Sequence, residues 1–162
     1  MLQLLMLACI IGVQSVQGKT YTLCPNGWLA NEGSCYWFGR IDNPMVFTTA
    51  EEYCRQHNSH LVHVNNSAEN DFLKDRMRQF KTSYFWMGLT DELTEGHWVW
   101  SDTDMAAIFL DFQPSDHAHN NQDCALFHYG YDYTWADVEC SFKTIPVCEM
   151  PGLSEREVAV VG

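Results

Sequence analysis

Residues 113–148 decide the fold of this chain and read QPSDHAHNNQDCALFHYGYDYTWADVECSFKTIPVC. A proline lies inside a polar turn, and an acid lies directly before Cys124. The tripeptide Trp-Ala-Asp begins at Trp135, and two further cysteines follow it. Proline and small polar residues favour turns, so this stretch joins a polar loop to segments anchored by cysteines.

The composition limits the chain to one domain and to a few classes of partner. A chain of 162 residues with 46% apolar and 14% aromatic content buries one core and is too short for two ordinary domains. Its formal net charge is −12, with nine lysine and arginine residues. Nucleic acids and anionic membranes need clustered basic side chains, so we expect neither nucleic acid binding nor membrane insertion. A divalent cation is the natural counter-ion.

The first 18 residues are typical of a secretory signal peptide. They carry no charge, contain an apolar run over residues 4–13 and end in small residues. The alternative is a membrane anchor, but this run is about half of the roughly 20 residues that span a bilayer. We expect a secreted, extracellular protein with a signal peptide at residues 1–18, one domain at residues 19–150 and a disordered tail at residues 151–162.

The cysteines predict a disulfide framework. Removal of the signal peptide takes away Cys9 and leaves six cysteines. An even number in a secreted chain indicates three disulfides rather than free thiols or a metal cluster. Six cysteines allow 15 pairings, so the count alone does not choose among them.

Local patterns predict two helices and several short strands. Capping boxes and apolar spacing predict helices over residues 48–58 and 66–79. Residues 60–64 form a short strand or an extended link, and apolar runs predict strands at residues 86–89 and 97–100. The candidate helix starts are Thr48 with Glu51 or Thr49 with Glu52 for the first helix, and Asn66 or Ser67 for the second.

Residues 23–149 resemble the C-type lectin domain, and residues 113–148 carry most of the likeness. In that family a cis-proline turn, an acid before a cysteine and a Trp-Asn-Asp strand hold a calcium ion, and the calcium holds a sugar. The resemblance implies an α+β fold with two helices, two small antiparallel sheets, a long calcium-binding loop and three disulfides. The implied pairs are Cys24 with Cys35, Cys54 with Cys148, and Cys124 with Cys140.

The principal calcium site of the family is altered in this chain. The matching positions are Gln113, Ser115, Gln122, Ala136 and Asp137. Only Asp137 keeps a carboxylate, and fewer charged ligands weaken calcium binding, so we expect a vacant or millimolar site. A one-residue insertion between Gln113 and Cys124 would instead let Asp123 replace Gln122.

The auxiliary calcium site implied by the resemblance keeps its acids. The matching positions are Asp91 and Glu95, and Asp116 after the proline turn and Asp123 join them. Four carboxylates on one loop repel each other unless a cation neutralises them, so we expect one bound calcium ion here. The alternative is a solvated acidic turn over residues 91–95.

Sugar preference follows from the proline turn. In the family a Gln-Pro-Asp turn accompanies galactose, and Gln113 matches its first position. An aromatic ring packs on the apolar face of galactose, and His117 or a tyrosine such as Tyr131 would supply it. The alternative is that Tyr129, Tyr131 and Tyr133 form an exposed strand edge.

Other polar patterns indicate less. Two sets of histidines suit zinc by residue type, namely His57, His60 and His63, which repeat every three residues, and the pair His117 and His119. The first set straddles a predicted helix end, so we do not expect its side chains to share a face. Asn65 begins an N-glycosylation sequon. No hydrolase motif occurs, so we do not expect an enzyme.

The sequence therefore predicts a secreted C-type lectin that recognises glycans on microbial or host surfaces with calcium, in innate immune defence. We expect galactose-leaning recognition with weak single-site affinity, which a homo-oligomer would offset by multivalency. The alternative is a calcium-independent domain of the same fold that binds a protein or mineral surface.

Overall fold

The computed structural model describes residues 21–81, 83–114 and 121–154. Residues 1–18, at which we expect the signal peptide, lie outside these ranges. Four predicted site or ligand residues of the polar loop also lie outside the described ranges: Ser115, Asp116, His117 and His119. Within the described ranges, no helix combines the length and the apolar character needed to cross a membrane.

Two helices form, close to where the sequence predicts them. Helix α1 spans Phe47–Gln56, so it begins before either predicted capping box, and Val46 caps it without a side-chain hydrogen bond. The reason is tertiary packing, because the buried Phe47 ring meets the Trp86 ring edge-on at 5.4 Å. Helix α2 spans Ser67–Met77 and has the predicted Asn66 cap. A 3-10 turn at Arg78–Phe80 follows it.

Ten strands complete the described part of the fold. They are β1 Thr22–Leu23, β2 Leu29–Asn31, β3 Ser34–Phe38, β4 His60–Leu61, β5 Phe85–Thr90, β6 Val99–Trp100, β7 Cys124–His128, β8 Thr134–Val138, β9 Ile145–Pro151 and β10 Leu153–Ser154. Strands β1 and β10 form a two-stranded sheet. The others form an eight-stranded sheet with the order β2-β3-β9-β5-β7-β8, in which β4 adds to β9 and β6 adds to β5.

The α+β class is confirmed, and the architecture differs from the expected one in two details. Strand β5 runs parallel to β9, so the predicted antiparallel ladders are joined into one mixed sheet. The prediction of a disordered tail at residues 151–162 is wrong for its first residues, because Pro151 ends β9 and Leu153 pairs with Leu23. Residues 155–162 lie outside the described structure.

All three predicted disulfides form. Cys24–Cys35 closes the amino-terminal hairpin, and Cys124–Cys140 closes the end of the β7–β8 hairpin. Cys54–Cys148 ties α1 to β9 across a sequence separation of 94. Closing so long a loop in the unfolded chain stabilises the fold by about 4.6 kcal/mol in the chain-entropy account.

The sheet carries a hydrophobic cluster on each face. Successive side chains of a strand point to opposite faces. Trp135 therefore packs among aromatic residues beside α2, whereas Ala136 packs in the cluster beside α1.

Hydrogen bonds to α2 and β8 hold the segment before Pro114 in place. Asp111 accepts from the Asn70 amide at 2.7 Å and pairs closely with Lys74. Asn70 in turn accepts from the Trp135 indole N–H at 3.0 Å. The backbone N–H of Gln113 donates to the Trp135 carbonyl at 2.9 Å. These bonds fix where the long loop enters the candidate site.

Candidate functional site

Asp91 is the most constrained acid of the predicted calcium sites. It directly follows β5, and its backbone N–H donates to the Asp123 carbonyl at 3.2 Å, while the Thr90 hydroxyl donates to the same oxygen at 2.6 Å. Its side chain is buried, and Oδ2 accepts from the Gly96 N–H at 2.7 Å. Its Oδ1 is buried without a hydrogen-bond partner.

The electrostatics around Asp91 disfavour its charged form. Burial is the largest cause that raises the pKa of this carboxyl, and the charges of Asp123 and Asp137 raise it further, while the Gly96 N–H acts in the opposite direction. Three carboxylates therefore interact at the ends of β5, β7 and β8. A cation among them would satisfy the orphaned oxygen and remove the repulsion, but the three carboxylates would have to draw closer to share one ion, because their ligand atoms do not all lie within 4.8 Å of one another.

The structure describes two of the other three residues of the predicted auxiliary calcium site. Glu95 lies exposed in the turn between Asp91 and Gly96, and Asp123 is half-buried beside Asp91. Asp116 lies outside the described residues.

The principal site has an orphaned oxygen of its own. The side-chain oxygen of Gln122 is buried without a hydrogen-bond partner, and Gln122 lines a shallow groove of about 330 Å³ with Glu139 and Phe142. Asp137 is buried on β8. Every peptide bond of the described residues is trans, including the one before Pro114, where the resemblance implies a cis bond. Ser115 lies outside the described ranges.

Ala136 does not face the acids. It is 1% exposed and packs in the cluster beside α1 with Leu126 and Trp86, on the opposite face of β8 from Trp135. An asparagine here would bury an amide among apolar side chains, so alanine at this position matches its surroundings.

The structure does not bring Tyr131 to the predicted sugar site, contrary to our expectation. Cys124 pairs with Val138 at the acid end of the hairpin, and His128 pairs with Thr134 at the other end. Tyr131 follows His128, so it lies roughly 14 Å or more from the acid end at about 3.4 Å per strand residue. Its ring stacks on His128 at 4.1 Å. His117 lies outside the described residues.

Tyr133 is also not an exposed edge residue. It is 2% exposed, and its hydroxyl donates to the Lys81 carbonyl. Tyr129 remains exposed and packs against Tyr84 with ring centroids 4.8 Å apart. An aromatic surface does form, but it lies at the hairpin tip and not beside the acids.

Two of the three repeated histidines converge, contrary to our expectation that they share no face. The rings of His60 and His63 lie 4.2 Å apart, and Nε2 of His63 lies 2.8 Å from Oδ1 of Asp102. The chain leaves β4 after Leu61, so strand alternation no longer separates the two rings. Burial lowers the pKa of His63, as does His60, while Asp102 opposes the shift. His57 instead packs on Tyr53.

A buried pair of glutamates also has no signal in the sequence. Glu149 accepts from the Ser34 hydroxyl at 2.7 Å and from the His63 N–H at 3.1 Å. Glu69 accepts from the Tyr36 hydroxyl at 2.6 Å and from the backbone N–H of Asn65. These bonds link β3, β9 and α2, and both carboxylates serve as acceptors. Asn65 itself is exposed, and its glycosylation stays a prediction.

Comparison with known proteins places the chain in a family. Residues 43–150 match the family model of the lectin C-type domain. The chain is 36% identical to rat C-type lectin domain family 10 member A over 152 residues, with 89% of this chain and 47% of that protein covered. It is 36% identical to mouse asialoglycoprotein receptor 1 over 151 residues, with coverages of 88% and 50%. It therefore spans about half the length of these curated relatives.

A solved structure agrees with that match. The carbohydrate-recognition domain of the human scavenger receptor C-type lectin superposes with a TM-score of 0.69 at 28% identity, covering 79% of this chain and 98% of that domain. The chain belongs to the C-type lectin family.

Proposed function

We propose that this domain recognises glycans through a calcium ion held at the joined ends of β5, β7 and β8. The observation that carries the proposal is the buried, unpartnered Oδ1 of Asp91, whose carboxylate interacts with those of Asp123 and Asp137. Calcium prefers carboxylate oxygens as ligands. The protein must hold the calcium ion before the ion can bind a sugar, so these acids are where recognition would begin.

Recognition leans towards galactose and is weak at a single site. Gln113 supports galactose over mannose within the family pattern, and one relative is named for asialoglycoproteins. The neutral Gln122 stands where the family has an acid, which lowers the charge available to calcium. Several copies on a multivalent surface would offset the weak contact, so a homo-oligomer suits this function.

The proposed setting is extracellular, with microbial or host glycans as partners and a role in innate recognition. Three disulfides support an oxidising compartment, and the uncharged apolar start of the chain supports secretion. The domain acts by binding and not as an enzyme.

A glycan array tests this function. The protein, presented as a multivalent complex, should bind galactose-terminated glycans in calcium and lose them in chelator. The monovalent protein should bind the same glycans much more weakly. Asp91→Asn should abolish binding, while Asp132→Asn, which alters an exposed carboxylate in an ion pair with Arg78, should leave it unchanged. Capture of no glycan, or equal capture in chelator, would refute the proposal.

The second candidate function is calcium-independent binding of a protein or mineral surface. The burial of Ala136 favours it, because an alanine packed among apolar side chains departs from the family's sugar-binding pattern. It predicts that Asp91→Asn and chelator leave partner binding intact. The same two conditions therefore separate the two functions.

A further inference from the structure

We propose that His60, His63 and Asp102 form a zinc site at one end of a surface groove, separate from the calcium acids. Of all histidine, cysteine, aspartate and glutamate side chains in the described ranges, these three form the only set with ligand atoms that all lie within 4.8 Å of one another.

The ligand spacing suits zinc with small side-chain movements. Nε2 of His63 and Oδ1 of Asp102 are 2.8 Å apart. Two ligands of a tetrahedral zinc ion lie about 3.4 Å apart when each bond is about 2.1 Å long. The ion would replace the proton that His63 and Asp102 share, and the Asp102 side chain is 35% exposed and free to adjust.

Contacts outside the ligand set orient both imidazoles. Nδ1 of His60 lies 2.8 Å from the Leu61 carbonyl oxygen, which fixes that nitrogen as the donor and leaves Nε2 with its lone pair for a metal. The His63 ring stacks on Trp100 at 4.5 Å, and its backbone N–H donates to Glu149. The histidines are therefore held before any ion binds.

The groove leaves room for a fourth ligand. His60 and Asp102 line a groove of about 740 Å³, together with Glu51 and Glu52 of α1 and Pro151 of β9. A zinc ion with three protein ligands keeps an open position for water or for an oxygen or nitrogen atom of a bound molecule. This open position would face the groove.

The site is distinct from the calcium acids in place and in chemistry. The Ser101 N–H donates to the Gly88 carbonyl, so the neighbouring Asp102 lies beside the middle of β5. Asp91 lies three residues further along the chain than Gly88, which is about 10 Å at roughly 3.3 Å per residue. Imidazole ligands favour zinc over calcium, which prefers oxygen. The zinc proposal therefore does not depend on the proposed glycan function.

Calorimetric zinc titration of the whole protein, in excess calcium, tests the site. We expect one zinc ion per chain at the described site. Asp102→Asn keeps a hydrogen-bond partner for His63 but removes the carboxylate, and it should weaken zinc binding by on the order of tenfold or more. His60→Gln should do the same. His57→Gln is the matched control, because His57 lies outside the cluster, and it should bind as the wild type does.

Two further measurements keep the result decisive. Cobalt(II) in place of zinc should give the strong visible absorption of a tetrahedral site in the wild type and lose it in Asp102→Asn, and circular dichroism in chelator should show both proteins folded. The absence of saturable zinc binding would overturn the proposal. Unchanged affinity in the Asp102→Asn, His60→Gln double variant would also overturn it, as would loss of zinc binding only when His117 and His119 are replaced.

Discussion

At the scale of single residues, the fold buries oxygens that lack partners within the protein. Oδ1 of Asp91 and the side-chain oxygen of Gln122 are both in this state. A buried acceptor without a donor costs about 1–3 kcal/mol, and a cation recovers that cost where the neighbours are acidic. Asp91 has acidic neighbours in Asp123 and Asp137. Gln122 carries no charge, so a carboxylate at this position tests directly how an added acidic ligand changes calcium binding.

Gln122→Glu should raise calcium affinity several-fold. The substitution keeps the side-chain shape and adds a charge, and the number of charged ligands tunes calcium binding. In chelator the variant should melt at a lower temperature than the wild type, because it adds one more negative charge to the groove that Glu139 lines. Calcium titration followed by calorimetry measures the change. Gln79→Glu, at an exposed position after α2, is the control and should alter neither value.

Glu149→Gln should flatten the dependence of stability on pH. Burial is the main cause that raises the pKa of Glu149, and the charge of Glu69 adds to it, against the hydrogen bonds from Ser34 and His63. The folded protein therefore holds this proton to a higher pH than the unfolded chain. The unfolding free energy that this bound proton contributes is fully present below the ordinary glutamate pKa, about 4.3. It is lost as the pH rises through the raised pKa of Glu149 in the folded protein.

Urea denaturation in chelator at a series of pH values checks this. Glutamine keeps both contacts, since its oxygen accepts from the His63 N–H and its amide donates to the Ser34 hydroxyl. The wild type should lose unfolding free energy over that pH interval, and the variant should lose less. If the two proteins lose the same amount, the raised pKa of Glu149 is wrong. The exposed Glu32→Gln is the control.

At the scale of elements, the site depends on how the segment before Pro114 is tied to α2. The tie is a chain of hydrogen bonds through Asp111, Asn70 and the Trp135 indole. Lys74 is 10% exposed at its side chain and pairs with Asp111, so this aspartate is the counter-charge of a largely buried lysine.

Asp111→Ala should destabilise the protein by about 2–3 kcal/mol, somewhat below the cost of breaking a fully buried ion pair, because Asp111 is 31% exposed. It should also weaken calcium binding, since the loop entry next to Gln113 is released. Thermal denaturation with and without calcium measures both effects. Asp132→Ala removes the exposed partner of Arg78 and should cost less than about 1 kcal/mol. Equal losses in the two variants would contradict the role of this tie.

The sequence predicted the elements better than their limits. The sequence predicts the Asn66 cap of α2 because capping is a local interaction, in which the Asn66 side chain accepts from the backbone N–H of Glu69 three residues later. The start of α1 was missed, because tertiary contacts of Phe47 and not a capping box decide it. The place of Tyr131 was missed as well, since only the β7–β8 register shows which end of the hairpin it occupies.

At the scale of the whole molecule, the pairing of distant strands assembles both candidate sites. Thr90 pairs with Cys124, and Cys124 pairs with Val138, which brings Asp91, Asp123 and Asp137 together. The family resemblance made these acids predictable. Nothing in the sequence near His63 indicates Asp102, which is 39 residues away, so the histidine cluster required the folded structure.

The melting temperature of the wild type and of Asp91→Asn, each measured with calcium and with chelator, tests the central claim most directly. Calcium at about 100 times its dissociation constant should add roughly 2.7 kcal/mol to the wild type, a rise of several degrees. Asp91→Asn should show no rise in calcium, and in chelator it should melt no lower than the wild type, because asparagine removes a buried charge and still accepts from Gly96. A full calcium response in Asp91→Asn would contradict a calcium ion held among Asp91, Asp123 and Asp137.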